Sequence, residues 1–351
     1  MYLKDKENES FNMTRDTISI HFVNAALAGV KRLGMDVETL LSHVGIEAEL
    51  LSQPKARISP EQYTRFIKML WMVTQDEHIG FSDQPRRLGT FAIMCQLIIH
   101  AKTLGDALEL AAQFYKLFGD EWYVTLERDK HEARLVPHIP LEQDPEHFIV
   151  ESMLMIWHGL ASWLIDRRLP LERVHFGYKK PTHADEYDAL FFAPVIQFDV
   201  PRTEITFAAD YLDLPLRQSE ENLEEFLKVA PAQLLINFKN TNSLTSRIRD
   251  VLKSQIGEEM PTLNDVASML YLSPQTLRRR LAAEGKSYQG VKDALRRDAA
   301  IHLLLNPKLT LEDVAQQVGF SETSTFHRAF KKWTGVTPGL YRQLHGYHNA
   351  I

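Results

Sequence analysis

Thr262-Leu263-Asn264-Asp265-Val266-Ala267 recurs 48 residues later as Thr310-Leu311-Glu312-Asp313-Val314-Ala315, and the match runs on through Leu272-Ser273 and Phe320-Ser321. After one extra residue in the second copy, Leu277 pairs with Phe326 and Leu281 with Phe330. Similarity at a fixed offset marks one supersecondary unit used twice. Each copy opens with a Thr whose hydroxyl can accept a backbone N–H, followed three residues on by an acid, the arrangement that caps a helix start. Val266, Ala267 and Leu270 give the first short helix a buried face, and Val314, Ala315 and Val318 do so in the second. Ser273, with Pro274 at the first helical position, is predicted to cap a following helix that packs back through Leu277 and Leu281. In the second copy Gly319 supplies the turn and Ser321 is the predicted cap of a helix buried through Phe326 and Phe330. Short helix, tight turn and second helix make a helix-turn-helix, whose second helix lies in the DNA major groove.

With Leu277 and Leu281 turned inward, Gln275, Thr276, Arg278 and Arg279 face outward near the helix start, and these residue types pair with purine edges and phosphates. In the second copy Ser324, Thr325, His327 and Arg328 make a polar face around Phe326, with Lys331 and Lys332 farther along, placed for the phosphate backbone. The run Arg278-Arg279-Arg280 alone would read as the solvated face of a helical bundle. Two spaced copies argue against that. Between them Tyr288 to Asn306 is predicted as one long helix, with Val291, Leu295, Ala299, His302 and Leu303 spaced for burial. About eighteen residues at 1.5 Å each span about 27 Å, near the ~34 Å between successive major-groove faces, so one chain can address two turns of DNA. Charge agrees: residues 244–351 hold 15 Lys and Arg against 10 Asp and Glu, a net of +5, whereas the whole chain is -6 and its remainder therefore -11. A basic segment beside an acidic one points to a polyanion partner for the first alone.

The region from about Leu244 to Leu344 closely resembles the DNA-binding domain of the AraC/XylS transcriptional regulators. The most specific residues are Thr310 to Ala315, Val318-Gly319-Phe320-Ser321-Glu322, Phe326-His327-Arg328-Ala329-Phe330-Lys331, Gly335-Val336-Thr337-Pro338 and Tyr341-Arg342. The resemblance implies seven helices, two helix-turn-helix units on a linker helix, and base contacts from Gln275, Arg278 and Arg279 in one unit and Ser324, Thr325, His327 and Arg328 in the other. Arg280 departs from the pattern, which has a buried residue there. Farther upstream, Gly89-Thr90-Phe91 through Leu104 and Tyr187 to Leu216, with Phe198-Asp199-Val200, Thr206-Phe207 and Leu212-Asp213-Leu214-Pro215-Leu216, is similar to the effector domain of a long-chain subgroup of that family, which includes regulators of ornithine use and virulence. That likeness implies a small-molecule effector and a homodimer, with double-stranded DNA and RNA polymerase as further partners.

The upstream residues themselves read as mixed α+β. Helical periodicity covers about Phe11 to Val44, a run opening at Ser59-Pro60, Phe91 to Ile99, Leu104 to Leu117, Phe148 to Leu164 and Ser219 to Val229. Strands are predicted at Trp122–Leu126 and Ala133–Val136 around a turn at Asp129-Lys130, and at Arg173–Tyr178, Val195–Val200 and Glu204–Ala208. The expected organisation is a disordered tail over residues 1–10, an effector-binding domain over 11–238, a linker over 239–243 and an all-α DNA-binding domain over 244–345. Phe118, Trp122, Trp157, Trp163 and Tyr178 are the candidate lining of an effector cavity, although aromatics at such spacings are more often plain core. With one cysteine, Cys95, a disulfide framework is excluded. No apolar run is long enough for a membrane span and no secretory leader is legible, so a cytoplasmic address is expected. There is no Gly-rich phosphate loop, nucleophile elbow or His-Glu-x-x-His helix, so no enzyme, cofactor or metal is expected, and the His345/His348 pair reads as incidental. A ligand-responsive regulator, a regulator controlled by protein partners, and an enzyme domain fused to a DNA-binding domain remain as alternatives.

Overall fold

The computed structural model describes residues 17–119, 121–140, 142–229, 234, 244–253, 255–256, 260–283 and 286–345. The expected tail over 1–10, the linker over 239–243, the helical reading of residues 11–16 and His348 lie outside these. In chain order the elements are β1 (Ile18–Ser19), α1 (Ile20–Arg32), α2 (Val37–His43), β2 (Arg57–Ile58), α3 (Pro60–Thr74), α4 (Thr90–Ile98), α5 (Leu104–Lys116), β3 (Tyr123–Arg128), β4 (Glu132–His138), α6 (Phe148–Leu164), β5 (Arg173–His175), α7 (Tyr187–Phe191), β6 (Ile196–Gln197), β7 (Glu204–Ala208), α8 (Glu220–Val229), α9 (Leu244–Lys253), α10 (Leu263–Met269), α11 (Pro274–Ala283), α12 (Tyr288–Leu304), α13 (Leu311–Gln317), α14 (Thr323–Thr334) and α15 (Pro338–His345). They form two compact units, one of Met1–Val23, Glu38–Phe66 and Lys239–Ile351, the other of Asn24–Val37 and Ile67–Phe238.

The second unit is α+β. Its five-stranded sheet has the order β3-β4-β7-β5-β6, antiparallel except for the parallel β5–β6 pair. The β3–β4 hairpin turns where the polar residues predict, and the Asp129 carboxylate accepts the N–H groups of His131 and Glu132, both at 2.9 Å. Val124, Ala133, Leu135, Ile205 and Phe207 alternate onto a fully buried sheet face, with β3 against α5 and β4 against α6. The strands expected over 173–178 and 195–200 shorten to β5 and β6. Phe176, Tyr178 and Phe198 turn into an aromatic cluster instead of extending the ladder, and Asp199 takes a left-handed φ of 58° that ends the run. The long helix expected up to Val44 is likewise two, because Gly34 at φ 72° closes α1. Gly29 is required by proximity, since a Cβ there would lie 2.1 Å from the Ile79 carbonyl oxygen.

The first unit holds two helical cores that share α12. Val291 and Leu295, from its first half, pack with Ile248, Leu252, Val266, Leu277 and Leu281. Ala299, Ile301, Leu303 and Leu304, from its second half, pack with Val314, Val318, Phe326, Phe330 and Tyr341. The two-residue ladder β1–β2, pairing Ile18 with Ile58 and Ser19 with Arg57, belongs to this unit. Segments 17–23 and 38–66 thus pack with the C-terminal helices.

Candidate nucleic-acid interface

The two repeats fold almost identically. Thr262 and Thr310 are the N-caps of α10 and α13, and each forms a full capping box with the acid three residues on. The paired distances agree closely: Thr N–H to Asp Oδ2 is 2.8 Å in both, and Asp N–H to Thr Oγ1 is 3.3 and 3.1 Å. Hydrogen bonds from the Thr hydroxyl and backbone hold the Asp265 and Asp313 carboxyls below the usual carboxylate range. The following turn places Tyr271 at φ 55° and its counterpart Gly319 at φ 80°. The first copy therefore carries a bulky residue in a conformation that glycine adopts without strain.

Ser273 caps α11 as expected, accepting the Thr276 N–H at 3.1 Å. Ser321 does not cap α14. Glu322 occupies the N-cap, with no side-chain cap hydrogen bond, because the extra residue of the second copy precedes the helix and moves its start one position beyond Ser321. The two helices are then buried through equivalent residues, Leu277 and Leu281 in α11 and Phe326 and Phe330 in α14, all at most 1% exposed.

On the opposite face Gln275, Arg278, Arg279 and Arg280 of α11 are exposed, and Thr276 is half-buried with its hydroxyl paired to that of Ser273 at 2.8 Å. On α14 Ser324, Arg328, Lys331 and Lys332 are exposed, whereas Thr325 and His327 are half-buried. Arg328 reaches Thr325 Oγ1 at 3.4 Å, and His327 Nε2 has no hydrogen-bond partner among the described residues. None of the ion pairs among the described residues involves Arg278, Arg279, Arg280, Lys331 or Lys332. Two helices that present cations and polar side chains on one face, with no counter-charge paired to them among the described residues, suit a polyanion that supplies phosphates and base edges. The 17 residues of α12 rise about 26 Å at 1.5 Å per residue.

A buried polar network fastens α12. Asp298 is 1% exposed and accepts from Thr17 Oγ1 at 2.7 Å, Arg297 at 2.9 Å and Arg249 at 3.3 Å. Arg57 donates to Thr17 Oγ1 and to the Thr17 carbonyl, both at 2.7 Å, and the Tyr341 hydroxyl donates to the Arg57 carbonyl at 2.7 Å. Burial pushes the Asp298 carboxyl upward, but the charges of Arg297, Arg249 and Arg57 outweigh it and leave the group below its ordinary range. The acid on the apolar stripe of α12 was the one sequence signal for this network, and it named no partner.

The five effector candidates are not brought together. Trp122 and Trp157 line a cavity of about 90 Å³ in the second unit. Phe118 lies under the Arg86 guanidinium at 3.8 Å, and Arg86 itself lines the cavity. Trp163 stacks on Phe226 at 4.1 Å, while Tyr178 donates to Glu151 at 3.0 Å and stacks on His147 at 3.6 Å. Sequence reasoning missed the polar lining, Glu77, His78 and Tyr115. Glu77 accepts the Gly89 N–H at 2.8 Å and the Phe91 N–H at 3.0 Å, and burial lifts its carboxyl to about 7. His78 stacks on Trp122 at 4.8 Å, and burial together with the Arg86 charge lowers its imidazole to about 3, so it is neutral.

Residues 34–216 match the family described as the arabinose-binding domain of AraC transcription regulator, N-term, and residues 266–344 match a helix-turn-helix domain. The ornithine utilization regulator of Pseudomonas aeruginosa is 26% identical over 338 residues, which cover 95% of this chain and 99% of that one. The HTH-type transcriptional regulator VqsM of the same organism is 26% identical over 275 residues, covering 73% and 80%. Among solved structures, the transcriptional regulator CdpR from Pseudomonas aeruginosa aligns over 92% of this chain and 96% of its own at 22% identity, with a TM-score of 0.31. These domains and relatives are transcription regulators, not enzymes. No helix among the described residues is long and apolar enough to cross a membrane.

Proposed function

Because the chain belongs to the AraC family of transcription regulators, DNA-binding proteins with an arabinose-binding-like N-terminal domain, we propose that it is a cytoplasmic regulator whose DNA affinity answers to a small-molecule effector. One observation supports the DNA contacts: two capped helix-turn-helix copies built on opposite halves of α12. In this reading Gln275, Thr276, Arg278 and Arg279 of α11 and Ser324, Thr325, His327 and Arg328 of α14 face base edges and nearby phosphates, and Lys331 and Lys332 hold the backbone. Residues 244–345 are the DNA-binding domain, 239–243 the linker and 11–238 the regulatory region, and a homodimer recruits or blocks RNA polymerase. A mobility-shift titration of the full chain tests the interface. Affinity for a preferred sequence falls steeply between about 50 and 200 mM salt as lysines and arginines displace counterions. A flat salt response, or equal affinity for every duplex, overturns it.

A second reading, control by a protein partner without a ligand, is favoured by the size of the cavity. At about 90 Å³ it falls short of the ~300 Å³ at which ligand pockets ordinarily begin. Thermal unfolding across a metabolite panel separates the two, since a ligand that binds the folded state raises its melting temperature by mass action. A melting temperature unmoved by the whole panel favours the partner.

A further inference from the structure

The cavity of the second unit has mainly aromatic and aliphatic walls, from Trp71, Phe91, Trp122, Ile156 and Trp157 among others. One of its polar groups, on His78, has unmet hydrogen-bonding capacity. His78 is 7% exposed and its Nδ1 is buried without a partner among the described residues. Tyr115 also lines the cavity, its ring packed against Trp157 at 6.3 Å. A buried polar atom without a partner carries a desolvation cost that any ligand supplying the partner removes.

The charged groups of the lining are Glu77 and Arg86. Glu77 already receives two backbone N–H groups, and the Arg86 guanidinium lies over the Phe118 ring. Burial lets Glu77 keep its proton up to about pH 7, and any ion that enters the mainly apolar walls pays a desolvation cost that a neutral ring does not. A benzene ring fits an apolar cavity of ~150 Å³. At about 90 Å³ this cavity is smaller, so a single ring enters only as the lining gives, and the unbranched Met153 is the side chain there best able to do so.

We propose that this cavity binds a small uncharged ring compound carrying one hydrogen-bonding group, with His78 Nδ1 as the partner of that group. The inference rests on the effector reading above and deepens it. The ligand's ring lies against the Trp122 and Trp157 side chains of the lining, and its hydroxyl, N–H or carbonyl meets His78, with Tyr115 as the second polar neighbour.

Four probes that share one ring test it by calorimetry on the full chain: benzyl alcohol, toluene, benzoate and benzylammonium. Benzyl alcohol is expected to bind at least about tenfold more tightly than toluene, the value of one buried neutral hydrogen bond, and more tightly than either ion. His78→Phe keeps the stack on Trp122 and is expected to abolish the preference for the alcohol over toluene. Should that variant fail to fold, the ¹⁵N resonance of His78 Nδ1 in the unaltered chain decides, because it must move on adding benzyl alcohol and stay with toluene. Equal binding of alcohol and toluene, tighter binding of either ion, or no binding of any probe overturns the inference. The effector reading fails separately. If benzyl alcohol binds as expected while DNA affinity is unchanged across the metabolite panel, the site stands and its regulatory use does not.

Discussion

Asp298→Asn removes one charge from a site where three hydrogen-bond donors converge. The change is nearly isosteric, so its effect reports electrostatics rather than packing. Breaking a buried ion pair by removing one partner costs about 3–5 kcal/mol. Here the Arg249 and Arg297 side chains keep 17% and 21% of their exposure, so water compensates part of the loss and the lower end, about 3 kcal/mol, is expected. For a cooperative unit of 150–250 residues each kcal/mol moves Tm by about 2–4 °C, giving a fall of about 6–12 °C. The pH dependence fixes the sign. A carboxyl whose folded pKa lies below its unfolded value contributes fully above about pH 4, and the contribution is lost as pH falls through the folded pKa. The gap between the natural chain and Asp298→Asn, measured by calorimetric unfolding, should therefore be widest near neutral pH and close in acid. Thr17→Val, which deletes the hydroxyl that reaches Asp298 at 2.7 Å, should couple to it by about 1 kcal/mol in a double-mutant cycle. A loss under about 1 kcal/mol, a gap constant from about pH 3 to pH 7, or strict additivity with Thr17→Val would refute the reasoning.

Tyr271→Gly is expected to stabilise by about 1 kcal/mol, because it relieves a left-handed conformation that costs a side chain 1–3 kcal/mol and only partly returns it as chain entropy; a lowered urea midpoint would contradict this. Arg279→Ala should cost about 1–3 kcal/mol on the preferred site and relax the preference at one base pair, whereas Lys332→Ala should weaken all duplexes alike, as competition against random DNA will show. Glu77→Gln should flatten the pH profile of stability between about 4.5 and 7. The folded carboxyl keeps a proton there that the unfolded chain releases, so stability falls as pH rises through that window. An unaltered slope would mean that Glu77 is not the group responsible.

The capped helix-turn-helix pair was legible because its signals are local: a hydroxyl and an acid three residues apart, and apolar residues at i, i+4. The Ser321 cap failed for an equally local reason, the position of the one inserted residue, which periodicity does not locate. The cavity was legible only as aromatic content. Trp122 and Trp157 line it while Trp163 and Tyr178 do not, since which face of α6 or of the sheet meets which helix is set by tertiary packing. Glu77, His78 and Arg86 sit between α3 and α4, where no spacing rule applies. Neither the Thr17–Asp298 nor the Arg57–Tyr341 contact could be read from sequence, because nothing in a linear pattern brings together residues 281 and 284 positions apart.

Those separations bear on how the chain is made. Segments 17–23 and 38–66 leave the ribosome long before α12 and α15 exist, so Thr17 and Arg57, although β1 and β2 can pair with each other at once, must wait for Asp298 and Tyr341. Closing a loop of this length adds only (3/2)RT ln n to the entropic cost, yet contacts of such high sequence separation form late and slow the folding of the parts that need them. The second unit, nearly continuous in sequence, can complete itself during synthesis. The first unit, whose segments 17–23 and 38–66 pack with the C-terminal helices, cannot, and its buried network stays open until α12 and α15 are made.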